Sequence, residues 1–260
     1  MFICVRVIVD NITAPMMHRY LILTFVVLCS CAKVYVPNAR NVTMFSQKGE
    51  FNGSIGTGIS GANVQSAYAI TNHLGVMANY LYANNKSSDQ FHYRKHRLGE
   101  FGIGYYQHKE KLFFETFAGF GWGKGYGQDS ITLFTQSVKR TKGSYERIFV
   151  QPSIGVDYGI FAVAVTFRLS RLNFSTLEYS ENDVNLYISG KPRYFLESAI
   201  TGRIYPRRRN IYFYAQMGFA HLLNPEGSED DDLLDYSRAQ LSVGMGIRLR
   251  KQNKTDYRGN

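Results

Sequence analysis

From Lys48 onward the chain alternates apolar and polar residues with a period of two, and turns interrupt the pattern at regular intervals. Successive side chains of a β-strand point to opposite faces, so each alternating run reads as a strand with one apolar side. The clearest is 237–250. There Ala239, Leu241, Val243, Met245, Ile247 and Leu249 share one face, and Arg238, Gln240, Ser242, Gly244, Gly246 and Arg248 share the other. Residues 211–220, 111–123 and 160–170 repeat the scheme. In all, the pattern predicts strands near 49–59, 63–71, 74–83, 97–107, 111–123, 146–157, 160–170, 195–205, 211–222 and 237–250.

The polar face decides which way such a sheet turns. Solvent-facing strand surfaces carry many Lys, Glu and Thr, whereas here Gly, Ala, Ser, Asn and Gln dominate. Small residues suit a narrow lumen, and an apolar face free of charge at mid-strand suits lipid. Glu100, Glu115, Glu197, Arg168, Arg203 and Arg248 fall on the polar face and are expected to pair across the lumen. The connections supply an independent test. From the second strand they alternate short (72–73), long (84–96), short (108–110), long (124–145), short (157–159), long (171–194), short (206–210), long (223–236). Short turns on one side and long loops on the other are the signature of an outer-membrane barrel. The expected fold is all-β, an antiparallel up-and-down transmembrane β-barrel of about ten strands (eight or twelve if a long connection conceals a hairpin). Both chain ends are expected on the short-turn side.

The amino-terminal region reads as an export signal. His18 and Arg19 precede the apolar run 20–28, too short for a spanning helix, and Leu28-Cys29-Ser30-Cys31 follows. An aliphatic residue, two small ones and a cysteine form a lipobox-like site, at which the Cys31 thiol would carry a diacylglycerol thioether. Each buried methylene of such an anchor contributes about 0.8 kcal/mol. Met16 or Met17 is a candidate start. The chain therefore divides into a signal segment 1–30, a lipidated extended leader 31–47, a barrel 48–250 and a polar tail 251–260. All three cysteines lie at or before Cys31, which excludes a disulfide framework in the barrel. The net charge is +10, and cleavage before Cys31 leaves 28 basic and 19 acidic residues, or +9. These charges are dispersed among turns and loops, so no nucleic-acid partner is expected.

The leader segment 34–42 (VYVPNARNV), Lys48-Gly49-Glu50 and the stretch 65–77 (QSAYAITNHLGVM) together resemble a group of outer-membrane β-barrel lipoproteins of Bacteroidota. The matching stretches cover about the first third of the mature chain. The resemblance implies an outer-membrane barrel, with membrane lipids, the lipoprotein-processing machinery and the barrel-assembly machinery as partners, and it brings no catalytic residues. The polar tail after Arg250 departs from the aromatic ending typical of such barrels.

Motifs that imitate enzymes lack their structural context. Gly56-Thr57-Gly58-Ile59-Ser60-Gly61 matches a dinucleotide fingerprint, but a strand follows where a helix is required. Residues 119–124 lack the Ser or Thr of a phosphate loop. His92 and His96, four apart in an expected loop, lack a zincin glutamate. The acidic run Glu226, Glu229, Asp230, Asp231, Asp232 and Asp235 offers oxygens for Ca²⁺ without the spacing of a calcium loop. No cofactor beyond the acyl chains on Cys31 is expected. His221, at the outer end of its strand, is the best candidate base for a rim hydrolase. The favoured function is structural or adhesive, through the long loops, without catalysis. A narrow pore, a barrel-rim protease or lipid hydrolase, and a soluble periplasmic lipid carrier are the alternatives. The last predicts an apolar lumen.

Overall fold

A computed structural model describes residues 34–86, 92–131, 137–181, 184–187, 192–206, 210–223 and 236–250. The signal segment, Cys31, the acidic run and the tail 251–260 lie outside the described residues. Among the described residues there are eleven strands: β1 (Phe51–Gly58), β2 (Gly61–Ala69), β3 (Leu74–Lys86), β4 (His92–Lys109), β5 (Leu112–Ile131), β6 (Ser137–Asp157), β7 (Phe161–Glu181), β8 (Val184–Tyr187), β9 (Arg193–Ile204), β10 (Ile211–Leu222) and β11 (Ala239–Leu249). Ten of them pair antiparallel in the order β6-β5-β4-β3-β2-β1-β11-β10-β9-β7, and β6 pairs with β7 to close the ring. The short β8 pairs with β7, on the segment that carries β7 beyond β9. The result is the expected closed up-and-down barrel, with no sheet edge left open around the ring.

Alternation orients every strand as the apolar pattern requires. Ile55, Val64, Phe101, Ile103, Phe120, Ile148, Val165, Phe167, Ile200, Met217 and Val243 all face outward and are exposed. Their inward neighbours are Gly, Ala, Ser, Thr, Asn, Gln, Glu and Arg, with Phe149 beside Ile148. A soluble lipid carrier predicts the opposite arrangement, with polar side chains on the outer face.

Strand lengths depart from expectation. The connections 84–96, 124–145 and 171–194, expected as loops, are largely strand. β5, β6 and β7 run 20, 21 and 21 residues. A tilted membrane-spanning strand needs about 9–11 residues, so roughly ten residues, about 30 Å of strand, extend past the apolar band. The outward face changes character at one level. Trp122, Ile148 and Leu169 give way to Lys124, Glu146 and Arg171. Beyond that level the outward face is polar and its apolar period vanishes, while the backbone ladder continues and Leu172, Phe174 and Leu177 of β7 still face inward. The first hairpin also turns slightly earlier than expected, at Ile59 and Ser60, where Gly58 pairs with Gly61. Gly61 has φ +120°, which favours glycine. The wall is thus tall along β4–β7 and low at the β1–β2 hairpin.

Candidate functional site

The lumen is occupied by the chain's own leader. Val34, Tyr35, Val36, Ala39, Arg40, Thr43 and Met44 are buried to within 1% of complete, and residues 34–45 pass along the inside of the barrel in extended form. Three layers hold it.

At the long-loop end, Val34, Tyr35 and Val36 pack with Leu81, Leu98, Tyr145, Leu172, Phe174, Leu177, Phe195 and Leu222. Tyr35 forms a parallel bridge with Tyr236, and its carbonyl accepts from Ser237 N at 2.9 Å. The Tyr35 ring lies edge-on to Tyr145 at 5.6 Å.

The middle layer is ionic. Glu197 meets Arg40 at 3.2 Å and Arg147 at 3.5 Å, and Glu100 pairs with Arg147 and, at 3.5 Å, with Arg168. Arg147 also donates to Asn38 Oδ1 at 2.9 Å, as does Arg168. The Asn38 amide in turn donates to Glu100. Every one of these side chains is buried. Charges removed from water are costly unless paired and hydrogen-bonded, which confines the leader to one register against the wall.

An extended segment in a closed space must also satisfy its backbone groups. The inward amides of the wall do this. Gln65 donates to Ala39 O at 2.8 Å, Gln216 to Arg40 O at 2.9 Å, and Gln151 to Asn41 O at 2.9 Å. Gln216 Oε1 accepts from Arg40 N at 2.7 Å and Asn63 from Ala39 N at 3.2 Å.

The short-turn end clamps the exit. Glu115 accepts from Thr43 N (2.9 Å), Thr43 Oγ1 (2.6 Å) and Met44 N (2.9 Å). Arg203 donates to Val42 O, and Arg248 to Met44 O. Met44 has φ +52°, strained for a side-chain-bearing residue, and Glu115 and Arg248 grip its two peptide groups. Phe45 then packs against Tyr106, with ring centroids 5.2 Å apart, and Lys48 N donates to Asn72 at 3.1 Å in a short turn.

Of the six charges expected in the lumen, all lie on the inner wall and are buried. Their partners differ from simple cross-lumen pairing. Arg168 does meet Glu100 and, at 3.9 Å, Glu197. Glu115 and Arg203 instead bind the leader backbone. Arg248 pairs with Glu50 and, at 2.7 Å, with Asp157. Sequence reasoning missed Tyr35, Arg40, Glu50, Arg147 and Asp157. It also expected the amino-terminal end on the short-turn side, whereas the first described residue of the leader, Val34, lies at the long-loop end. A signal existed in the inward Gln and Asn residues, whose two-sided hydrogen bonding suits a strand-like guest better than water.

The remaining candidates scatter. His96 lies on β4, not in a loop; it faces inward with its Nε2 2.9 Å from the Tyr145 hydroxyl. The side chain of His92 lies outside the described residues, and positions four apart on a strand are separated by about 13 Å, too far to share a metal ion. His221 faces outward on β10 and is exposed, and it makes no hydrogen bond or ion pair among the described residues. Gly56 and Gly58 sit in β1 with Gly56 beneath Tyr214, and they open no helix.

No family model matches the chain, and no curated protein does. Among solved structures it is similar to the translocator domain of the autotransporter NalP from Neisseria meningitidis, with 12% identity and a TM-score of 0.45. The match covers 91% of this chain and 95% of that one.

Proposed function

We propose that the protein is an outer-membrane lipoprotein whose barrel is closed by its own leader and which acts by contact, through the tall β4–β7 wall and the connections above it. The leader carries this reading. Residues 34–45 run through the lumen and engage Glu100, Glu115, Glu197, Arg147, Arg168 and Arg203 together with the amides of Gln65, Gln151 and Gln216, which fills the path a pore would need, so support for a pore is weak. The outward apolar band supports a membrane location, and the lipobox-like Leu28–Cys31 supports an acyl anchor on Cys31.

Planar-bilayer recording tests the closed lumen. The purified full-length protein is expected to insert without steady conductance. Paired loss of the ionic layer, Glu100→Gln with Glu197→Gln, is expected to give intermittent openings as the leader loosens. Steady conductance of the unaltered protein would overturn the contact reading in favour of the pore.

A further inference from the structure

We propose that the lipid-bearing end of the chain leaves the barrel through its long-loop mouth, so that the Cys31 acyl chains enter the outer leaflet from the cell surface. This rests on the reading of the protein as an outer-membrane lipoprotein and adds the direction of threading.

Four observations fix that direction. Val34 lies at the level of Gly125 and Gly143, whose added Cβ atoms would meet its carbonyl and, at 3.1 Å, its side chain. The residues flanking these glycines, Lys124 and Lys142, face outward above the apolar band. Tyr35 runs parallel to the chain entering β11, which itself descends from the long-loop end. At the other end, Ser46 N donates to Glu50 at 3.1 Å, and Lys48 reaches the Asn72 turn. The leader therefore crosses the whole barrel from the long-loop mouth to the short-turn mouth before β1 begins.

Chain reach does the rest. Cys31 stands three residues before Val34, and three extended residues span at most about 10 Å. Crossing back would need a second passage as long as 34–45 through a lumen already filled. The low rim at the β1–β2 hairpin, turning at Ile59 and Ser60, gives an acyl chain a short path to the membrane. Outer-membrane barrels place their long loops outside, which puts the anchor on the outer face. An acylated terminus cannot be drawn through this closed lumen, so β1 and β11 must meet around a leader already in place.

The test uses the otherwise cysteine-free barrel. Lys33→Cys and, at the short-turn end, Lys109→Cys are each treated with a membrane-impermeant maleimide, in intact cells and after outer-membrane permeabilisation. Strong labelling of Lys33→Cys in intact cells, with Lys109→Cys labelled only after permeabilisation, is the expected result. Labelling of Lys33→Cys only after permeabilisation would overturn the proposal. The underlying reading is checked separately. Metabolic palmitate on the unaltered protein, with no maleimide uptake at Cys31, reports lipidation, and a heat-dependent gel shift reports the barrel. If palmitate is absent while Lys33→Cys still labels from outside, the lipoprotein reading fails and the threading direction stands.

Discussion

Arg147 on β6 donates to the phenol oxygen of Tyr35 at 2.7 Å, joining residues 112 positions apart in the sequence. The same phenol donates to Glu197 on β9. One leader side chain thereby bridges two wall strands that are not neighbours in the barrel. Leader and wall form a single hydrogen-bonded unit, and the consequences are measurable.

Glu197→Gln removes one of two carboxylates facing Arg40, Arg147 and Arg168. Breaking a buried ionic cluster on one side costs about 3–5 kcal/mol because the opposing charge stays buried. The urea midpoint of folding, read by gel mobility in detergent, should fall accordingly. Adding Arg40→Gln should recover part of the loss, giving a non-additive double-mutant cycle. Additive losses would show that the two side chains act independently.

Glu115→Ala leaves the amides of Thr43 and Met44 and the Thr43 hydroxyl without their acceptor. Each buried group left unpaired costs about 1–3 kcal/mol. The expected outcome is early protease cleavage near Met44 in an otherwise heat-shifting barrel. Resistance equal to that of the unaltered protein would show the clamp to be dispensable.

Gly125→Val should push the upper leader off β5, since even a Cβ there would overlap the Val34 carbonyl. Gly202→Ala is the matched control, as nothing lies within 4 Å of a Cβ at that position. Limited proteolysis ahead of Tyr35 should increase for Gly125→Val and remain unchanged for Gly202→Ala.

Ile200→Arg places a charge in the middle of the outward apolar face of β9, where Ile200 is 52% exposed. Such a substitution costs about 2–4 kcal/mol at the bilayer midplane. Asn173→Arg, outward on β7 above the band, should change stability by less than about 0.5 kcal/mol. Folding yields into lipid vesicles distinguish the two. Equal effects would mean that the band does not contact lipid.

The sequence by itself determined the barrel and its polarity. Ile211, Phe213, Ala215, Met217 and Phe219 alternate with Tyr212, Tyr214, Gln216, Gly218 and Ala220, and a two-residue period forces those sets onto opposite faces wherever the strand lies. Glu100, Glu115, Glu197, Arg168, Arg203 and Arg248 were legible as inward charges for the same reason, although Arg147 was not read as one. Their partners were not legible, because pairing depends on which strands lie opposite across a closed ring. Arg40 and Glu197 are far apart in sequence, and only closure brings them to 3.2 Å.

Strand ends escaped the sequence because the apolar period stops at the lipid boundary while the backbone ladder does not. Lys124, Tyr126 and Gln128 alternate with glycines on β5 and carry no burial signal, yet their amides and carbonyls remain paired with β6. The leader escaped for a deeper reason. Residues 34–45 have no periodic face, being surrounded by wall on every side, so nothing local separates a plug from a linker. Tertiary structure decided it. The backbone of an extended segment excluded from water needs donors and acceptors from elsewhere, and Gln65, Gln151, Gln216 and Glu115 supply them only once the barrel has closed around it.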